Sequence, residues 1–539
     1  MKAAGERKRV LIVNCFLDET RRLIGRPHFV PQAVGPAYLA GAFNAALVDI
    51  TLYNELSAGP LLDEELFAWP DMVVLTGMTS AYDRLRHIAA YVRTKKPGCI
   101  VVAGGAGVRA LPELSRRFFD YCCCGDIEEL QDVVRECFGP NYVAERMDPR
   151  FDLMNWTGLL GYVESSRNCN FKCSFCALTG EKNNYQIYDL DYLRRQLDSV
   201  GKRKACIILA DNNFYGNNRA YFQAKLDLLK HYWKKRAFYG WAALVTNDFF
   251  AQPDNLPLAK EAGCASLFTG VESFDADVLR GFNKLQNLRL PQVQMIRECL
   301  SAGIILNYGV IFDTSTRCLA DIRAEIEFIV NTPEITLPVF MNLTIPILRT
   351  PYFYECLEDH RFLPNTKLRD MDGDTLTMMP RDPVEDVVQF LKELPTLKGY
   401  KARVARHTLS FVRLYYRKLD PILLAVALGN AGFICLPALV HNHRGIFKRS
   451  KLKSPARTYV TTTEPIGPLY EPVFPIDGRY EHYFQPTMVT DEHGNLAQEV
   501  AADLQRIDHT TATASSFVKP HTITNPVRDH QPGRQSISL

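Results

Sequence analysis

Cys169, Cys173 and Cys176 stand at the spacing C-x3-C-x2-C within residues 163–180, VESSRNCNFKCSFCALTG, immediately after an apolar run. A [4Fe–4S] cluster normally takes four cysteine ligands, so a loop offering three would leave one iron free to bind something else. Chemistry could start at that open iron. The competing reading is a structural zinc loop. It requires a fourth Cys or His close by, and residues 163–180 contain no His.

The surrounding chain must hold this loop in place. Residues 9–137 alternate short apolar runs (RVLIVN, VDITLY, MVVLTG, CIVVAGG and the weaker DYCCCG) with helical stretches (PAYLAGAFNAAL, YDRLRHIAAYVRTK, IEELQDVVREC). Near-continuous apolar strands separated by amphipathic helices predict an α/β unit, a doubly wound parallel sheet covered on both faces. Ligands bind such sheets beyond the carboxyl ends of the strands, which directs attention to the loops 14–36, 76–81, 104–109 and 125–128. From about residue 159 the rhythm changes. Six further strand–helix units run from LGYVES to LPVFMNLTI. That number suits a partial (β/α)6 barrel, in which chemistry sits at the C-terminal ends of the strands. The three cysteines follow its first strand.

Composition narrows the setting. The 539 residues carry a formal charge of +3, with 23% charged side chains, so nothing global points to nucleic acid. The N-terminus lacks the apolar stretch of a secretory signal. Fifteen cysteines fall well short of the density of a secreted disulfide scaffold, and a reducing, cytoplasmic setting is expected. Cys122, Cys123 and Cys124 are consecutive; strand neighbours point to opposite faces, and the run reads as buried strand.

The cysteine spacing, with Phe175 directly before the last cysteine, resembles the radical S-adenosylmethionine (radical SAM) superfamily. The resemblance extends to Leu209-Ala210-Asp211-Asn212-Asn213-Phe214 after strand two, Gly270-Val271-Glu272-Ser273 followed by Asn283-Lys284 after strand four, and PILRTP at residues 346–351. It implies that Cys169, Cys173 and Cys176 bind a [4Fe–4S] cluster whose open iron chelates SAM. Glu272, Ser273, Phe175 and Asp211 would contact SAM, although Asp211 could equally cap the next helix. Tyr308 on strand five reads as barrel packing.

The first unit resembles the cobalamin-binding domain that precedes the barrel in one large class of these enzymes, the class B methyltransferases. GPAYLAG, GGAGVRALPE, Gly125-Asp126-Ile127-Glu128 and PRFDLMNW carry that likeness. It implies cobalamin contacts from Ser80, Gly104, Gly105, Gly125 and Glu128. The Asp-x-His-x-x-Gly signature of some cobalamin proteins is absent, and His28, in the corresponding loop, reads as a solvated histidine. Cobalamin is thus implied by resemblance rather than by ligands.

The expected organisation is a cobalamin-binding-like domain at 1–145, a radical SAM barrel at 159–383, a helical extension at 384–453 and a disordered tail at 454–539. Residues 398–418 are basic with interleaved aromatics, and residues 421–440 are almost wholly apolar but interrupted by Gly429, Asn430, Gly432 and Pro437. That pattern reads as a helix packed on the barrel, with peripheral membrane contact through 398–440 as a further reading.

The resemblance implies SAM cleavage to a 5′-deoxyadenosyl radical and cobalamin-dependent C-methylation of an unactivated carbon. A radical SAM cyclase, oxidase or rearrangement enzyme of the same architecture is one alternative, and a non-catalytic iron–sulfur protein another. The expected substrate is a small molecule, with a lipid, isoprenoid or tetrapyrrole favoured. A flavodoxin or ferredoxin would supply electrons.

Overall fold

The computed structural model describes residues 7–17, 33–393, 400–435 and 459–505, apart from 183, 202, 465 and 467. His28 lies outside the described residues.

Strands β1 (Lys8–Cys15), β2 (Val48–Asn54), β3 (Met72–Gly77), β4 (Ile100–Gly104) and β5 (Tyr121–Cys123) form a parallel sheet in the order β2-β1-β3-β4-β5. Val10, Leu11, Ile12 and Val13 of β1 are fully buried. Both faces of this interior strand are therefore covered, as the unbroken apolar run predicts. The first helix is shorter than its sequence pattern: it spans Gly35–Ala40. At Gly41 the carbonyl of Asp148 crosses the chain, 2.5 Å from where a Cβ would stand. Cys122 is buried in β5, and burial raises the thiol pKa of all three consecutive cysteines.

The second sheet contains β6 (Leu160–Val163), β9 (Lys204–Leu209), β10 (Phe238–Leu244), β11 (Cys264–Glu272), β12 (Ile305–Phe312) and β13 (Phe340–Leu343), all parallel and in the order β13-β12-β11-β10-β9-β6. Its edge strands β6 and β13 are not paired with one another, so the barrel is open. A small antiparallel pair, β7 (Ser166–Arg167) with β8 (Gln186–Ile187), closes the neck of the cysteine loop. Tyr308 is fully buried and donates to the Thr336 carbonyl at 2.6 Å, a packing role.

The extension contributes helices Val384–Glu393, Tyr400–Tyr415 and Pro421–Cys435. His407 is buried between the carbonyls of Val330 and Ile335, each 3.1 Å away. Tyr415 donates to the Glu334 carbonyl. These bonds lay the extension along the outside of the barrel. Residues 436–440 of the apolar run are outside the described residues, and no described helix is long and apolar enough to cross a membrane.

The tail corrects an expectation. Residues 459–505, taken from their weak periodicity as part of a disordered stretch, are packed; residues 506–539 lie outside the described residues. Helix Tyr82–Lys95 explains the difference. Every residue from Tyr82 to Val92 is buried, including Asp83, Arg84, Arg86 and His87, which the sequence would assign to a solvated face. Asp83 accepts from the Tyr470 hydroxyl at 2.8 Å and the Thr487 hydroxyl at 2.5 Å. Arg86 donates to Thr487 and to the His482 carbonyl, and His87 stacks on Phe484 at 4.5 Å. The segment has little regular structure of its own because its order comes from filling this helix's outer face. Periodicity cannot register that kind of order.

Candidate active site

The cysteine loop is fastened at several points. Ser174 N donates to the Phe282 carbonyl and Tyr352 N to the Ser174 carbonyl. Asn283 Nδ2 reaches the Lys172 carbonyl at 3.0 Å, and Asn213 Nδ2 reaches Asn170 Oδ1 at 2.7 Å. Residues after strands β9 and β11 thus hold the loop that follows β6, and the strand-end rule supplies the framework. Cys173 is buried, while Cys169 and Cys176 are partly so. Burial pushes the Cys169 thiol up to about 11 and raises Cys176 as well. Gln286 Nε2 donates to Cys173 Sγ at 3.3 Å. Among the described residues, no three His, Cys, Asp or Glu side chains converge on a single-ion position.

Beside the thiols lies a buried ion pair. Glu272 ends β11 with a left-handed φ of 62°, at a register shift between β11 and β12. Such a conformation is uncommon for a residue with a side chain and persists only where surroundings enforce it. Here the Lys284 ammonium contacts the Glu272 carboxylate. Burial opposes the charge on Lys284, but the carboxylate outweighs it, and the ammonium pKa is raised. The same ammonium stands 5.7 Å from the centre of the Phe175 ring, which also packs on Phe282 at 5.0 Å. Phe175, Glu272 and the cysteines are therefore together.

The side chains of Asp211 and Ser273 are engaged by protein partners. The Asp211 carboxylate is engaged by Ser165 N at 3.1 Å and by the hydroxyls of Ser165 and Ser166. It anchors the chain just before the cysteines. It does not cap the following helix, whose N-cap is Asn218. The Ser273 hydroxyl donates to Glu325 at 2.6 Å, in a buried group completed by Arg317.

Asp248, after β10, was not singled out by motif. Its Oδ1 accepts from Phe249 N, whereas its buried Oδ2 has no hydrogen-bond partner. Burial raises its pKa, and its charge acts on Cys169. Position at the end of strand three was the available signal. Gln286 had none, because its contact with Cys173 depends on the 3-10 turn Leu285–Leu288.

The carboxyl ends of the first sheet face the same region. Gly105 has φ +97°, and a Cβ there would stand 2.6 Å from the Gly77 carbonyl, so the ends of β3 and β4 approach to a distance only glycine permits. Ser80 lies in the 3-10 turn Thr79–Ala81 after β3, and Gly104 ends β4. Gly125 N donates to Glu129. Arg109 donates to the carbonyls of Cys124 and Gly125 and pairs with Glu181, in the helix that follows Cys176. Glu128 pairs at 3.2 Å with Arg167, which also pairs with Glu164 at 2.5 Å. The loops of the two sheets meet across these arginines.

Residues 163–319 match the Radical SAM superfamily, and residues 22–134 match the B12 binding domain. The chain carries a radical SAM domain and a B12-binding domain. Its radical SAM domain contains the cysteine loop and Glu272, and its B12 domain contains the loops bearing Ser80, Gly104, Gly105, Gly125 and Glu128. A curated relative of this chain is the hopanoid C-2 methylase of Rhodopseudomonas palustris, 27% identical over 274 residues, covering 46% of this chain and 51% of that one. The chain thus matches about half the length of that relative. The bacteriochlorophyllide d C-8(2)-methyltransferase of Chlorobaculum tepidum is 25% identical over 321 residues, covering 53% of this chain and 68% of its own. Among solved structures, the radical SAM methyltransferase TsrM of Kitasatospora setae, with cobalamin and a [4Fe–4S] cluster bound, aligns with a TM-score of 0.51 at 16% identity, covering 82% of this chain and 100% of that one. The cobalamin-dependent SAM radical enzyme OxsB, with aqua-cobalamin bound, aligns with a TM-score of 0.54 at 15% identity, covering 83% and 82%. At such identities these two likenesses speak for the fold.

Proposed function

We propose that this protein is a cobalamin-dependent radical SAM methyltransferase acting on an unactivated carbon. The observation that carries the reading is the Arg109–Glu181 bridge. It joins the carboxyl edge of a B12 domain to the helix leaving the three cysteines, so that two cofactor sites would share one substrate space. When bound, a [4Fe–4S] cluster supplies an electron for SAM cleavage and cobalamin supplies a transferable methyl group.

Cys169, Cys173 and Cys176 are the residues to hold the cluster. Their thiols sit on one pinned loop without converging on a single ion, which suits a donor set spread over several irons better than tetrahedral zinc. Because burial keeps Cys169 and Cys176 protonated, loading would release protons. Glu272, held by Lys284, presents carboxylate oxygen to SAM, and Phe175 offers its ring to the adenine. Asp211 and Ser273 act as positioning residues. Ser80, Gly104, Gly105 and Gly125 line the cobalamin edge, and Glu128 orients Arg167 at the seam.

The substrate class follows the relatives, whose names specify a hopanoid and a bacteriochlorophyllide. An isoprenoid lipid or tetrapyrrole acceptor fits both this and the apolar extension, and residues 398–440 are the proposed contact with a membrane surface. A flavodoxin or ferredoxin would donate electrons. The test is anaerobic turnover of the reconstituted protein with such acceptors. Formation of both S-adenosylhomocysteine and 5′-deoxyadenosine is expected; 5′-deoxyadenosine alone would assign a non-methylating radical enzyme. Cys173→Ala should abolish SAM cleavage while the first domain stays folded.

A further inference from the structure

At the opposite end of the barrel from the cysteines, a cleft of about 770 Å³ opens among the N-terminal ends of β9, β10 and β11 and the start of helix Pro421–Cys435. Barrel chemistry has no use for this end. Five cations line the cleft: Arg203, Lys204, Lys234, Arg236 and Lys260. Asp420 is the one carboxylate among the lining residues, and it is committed to capping the helix, accepting from Ile422 N and Leu423 N at 3.0 Å each. Lys204 and Lys260 each reach a backbone carbonyl, of Gly158 and Gly303. Arg203, Lys234 and Arg236 are exposed and have no ion-pair partner among the described residues.

The cleft is also built rather than incidental. Trp233 lies so close to Gly263 that a Cβ there would stand 2.5 Å from the ring, and its indole donates to the Tyr239 carbonyl at 3.0 Å. Apolar groups flank the cations in the open. Leu159 is 69% exposed and Tyr239 51%, and on the adjoining helix Ile422 is 55% and Val426 45% exposed. Exposed aliphatic and aromatic side chains interleaved with unpaired cations match an interface whose outer layer is anionic and whose next layer is hydrocarbon. A soluble anion would use the charge and leave the apolar rim unexplained.

We propose that this cleft and its rim dock the protein on an anionic phospholipid surface, with phosphate headgroups over Arg203, Lys234 and Arg236. The proposal rests on the membrane-contact reading above and adds the headgroup charge and the barrel-bottom residues that recognise it. The test is flotation of the full chain with phosphatidylcholine vesicles and with phosphatidylcholine–phosphatidylglycerol vesicles. Binding to the anionic vesicles is expected, weakening as salt rises and falling about tenfold or more in R203E/K234E/R236E. The equally charged variant R7E/R135E/R280E, altered on other surfaces, should bind like the unmodified protein. Should the first triple variant fail to fold, judged by circular dichroism, the salt and lipid dependence of the unmodified chain decides. Equal binding to both vesicle types, lost in I422D/V426D, would keep the helix contact and overturn the headgroup site. Binding to neither would overturn both, and full competition by free glycerol phosphate would reassign the cleft to a soluble phosphorylated ligand.

Discussion

Lys284 and Glu272, twelve positions apart in sequence, form an ion pair whose side chains are 10% and 12% exposed. Removing one partner of such a pair strands the other as a buried charge, whereas removing both does not. Lys284→Met should therefore lower stability by roughly 3 kcal/mol, and the double variant Lys284→Met/Glu272→Gln should recover most of that loss. Urea unfolding of the two single variants and the double variant measures the coupling. Additive effects would show that the pair is not the unit described.

Gln286 donates to a cysteine sulfur, and hydrogen bonds to sulfur are among the factors that set cluster potentials. Withdrawing one makes the reduced state less favourable. Gln286→Leu should accordingly shift the reconstituted cluster to a more negative midpoint, with its content unchanged. A redox titration followed by electron paramagnetic resonance reads this, and an unchanged midpoint would deny Gln286 any influence on the cluster.

Lys225 is fully buried, with its ammonium against the Phe214 carbonyl and 3.9 Å from the Phe214 ring centre. Burial lowers its pKa from the usual 10.5 to about 8, against the opposing charge of Asp211. Between those values the unfolded chain holds the proton and the folded chain has released it. The unfolded state binds more protons there, so this group makes stability rise with pH across the window. Lys225→Met should flatten that rise, as seen in melting temperatures collected from pH 8 upward. A slope identical in both proteins would remove Lys225 as its source.

Much of this fold could be read from the chain. The apolar runs identified the five strands of the first sheet and the six of the second, because strands buried on both faces leave a dense local signature. The thiols, Phe175 and Glu272 come together because strand-end position in a barrel determines who meets whom. Asp211 and Ser273 show the limit of that reasoning. Sequence position brought both to the correct end of the barrel, but which way a carboxylate or hydroxyl turns depends on partners such as Ser165 and Glu325, which no local pattern announces. Helix Tyr82–Lys95 shows the same limit at larger scale, since its polar face is matched by residues nearly four hundred positions away.

Asp83 ties that distant segment down. Its carboxylate accepts from Thr487 N at 3.1 Å as well as from the Thr487 and Tyr470 hydroxyls. Asp83→Ala leaves these buried donors unsatisfied, at a cost of about 2 kcal/mol or more. Limited trypsin digestion should then cut within residues 459–505 well before the rest of the protein, with Arg479 as an exposed site. Unaltered protection would mean that the aromatic contacts alone hold the segment.

The return of residues 459–505 to the first domain also sets an order of events during synthesis. The helix around Asp83 leaves the ribosome early, yet its covering strap emerges only after the barrel and extension have been made. At ordinary elongation rates of roughly 5–20 residues per second, the delay is on the order of 20–80 s. For that interval Asp83, Arg86 and His87 face solvent or a chaperone. Only when the segment bearing Tyr470, Phe484 and Thr487 has been made can the outer face of this helix be covered.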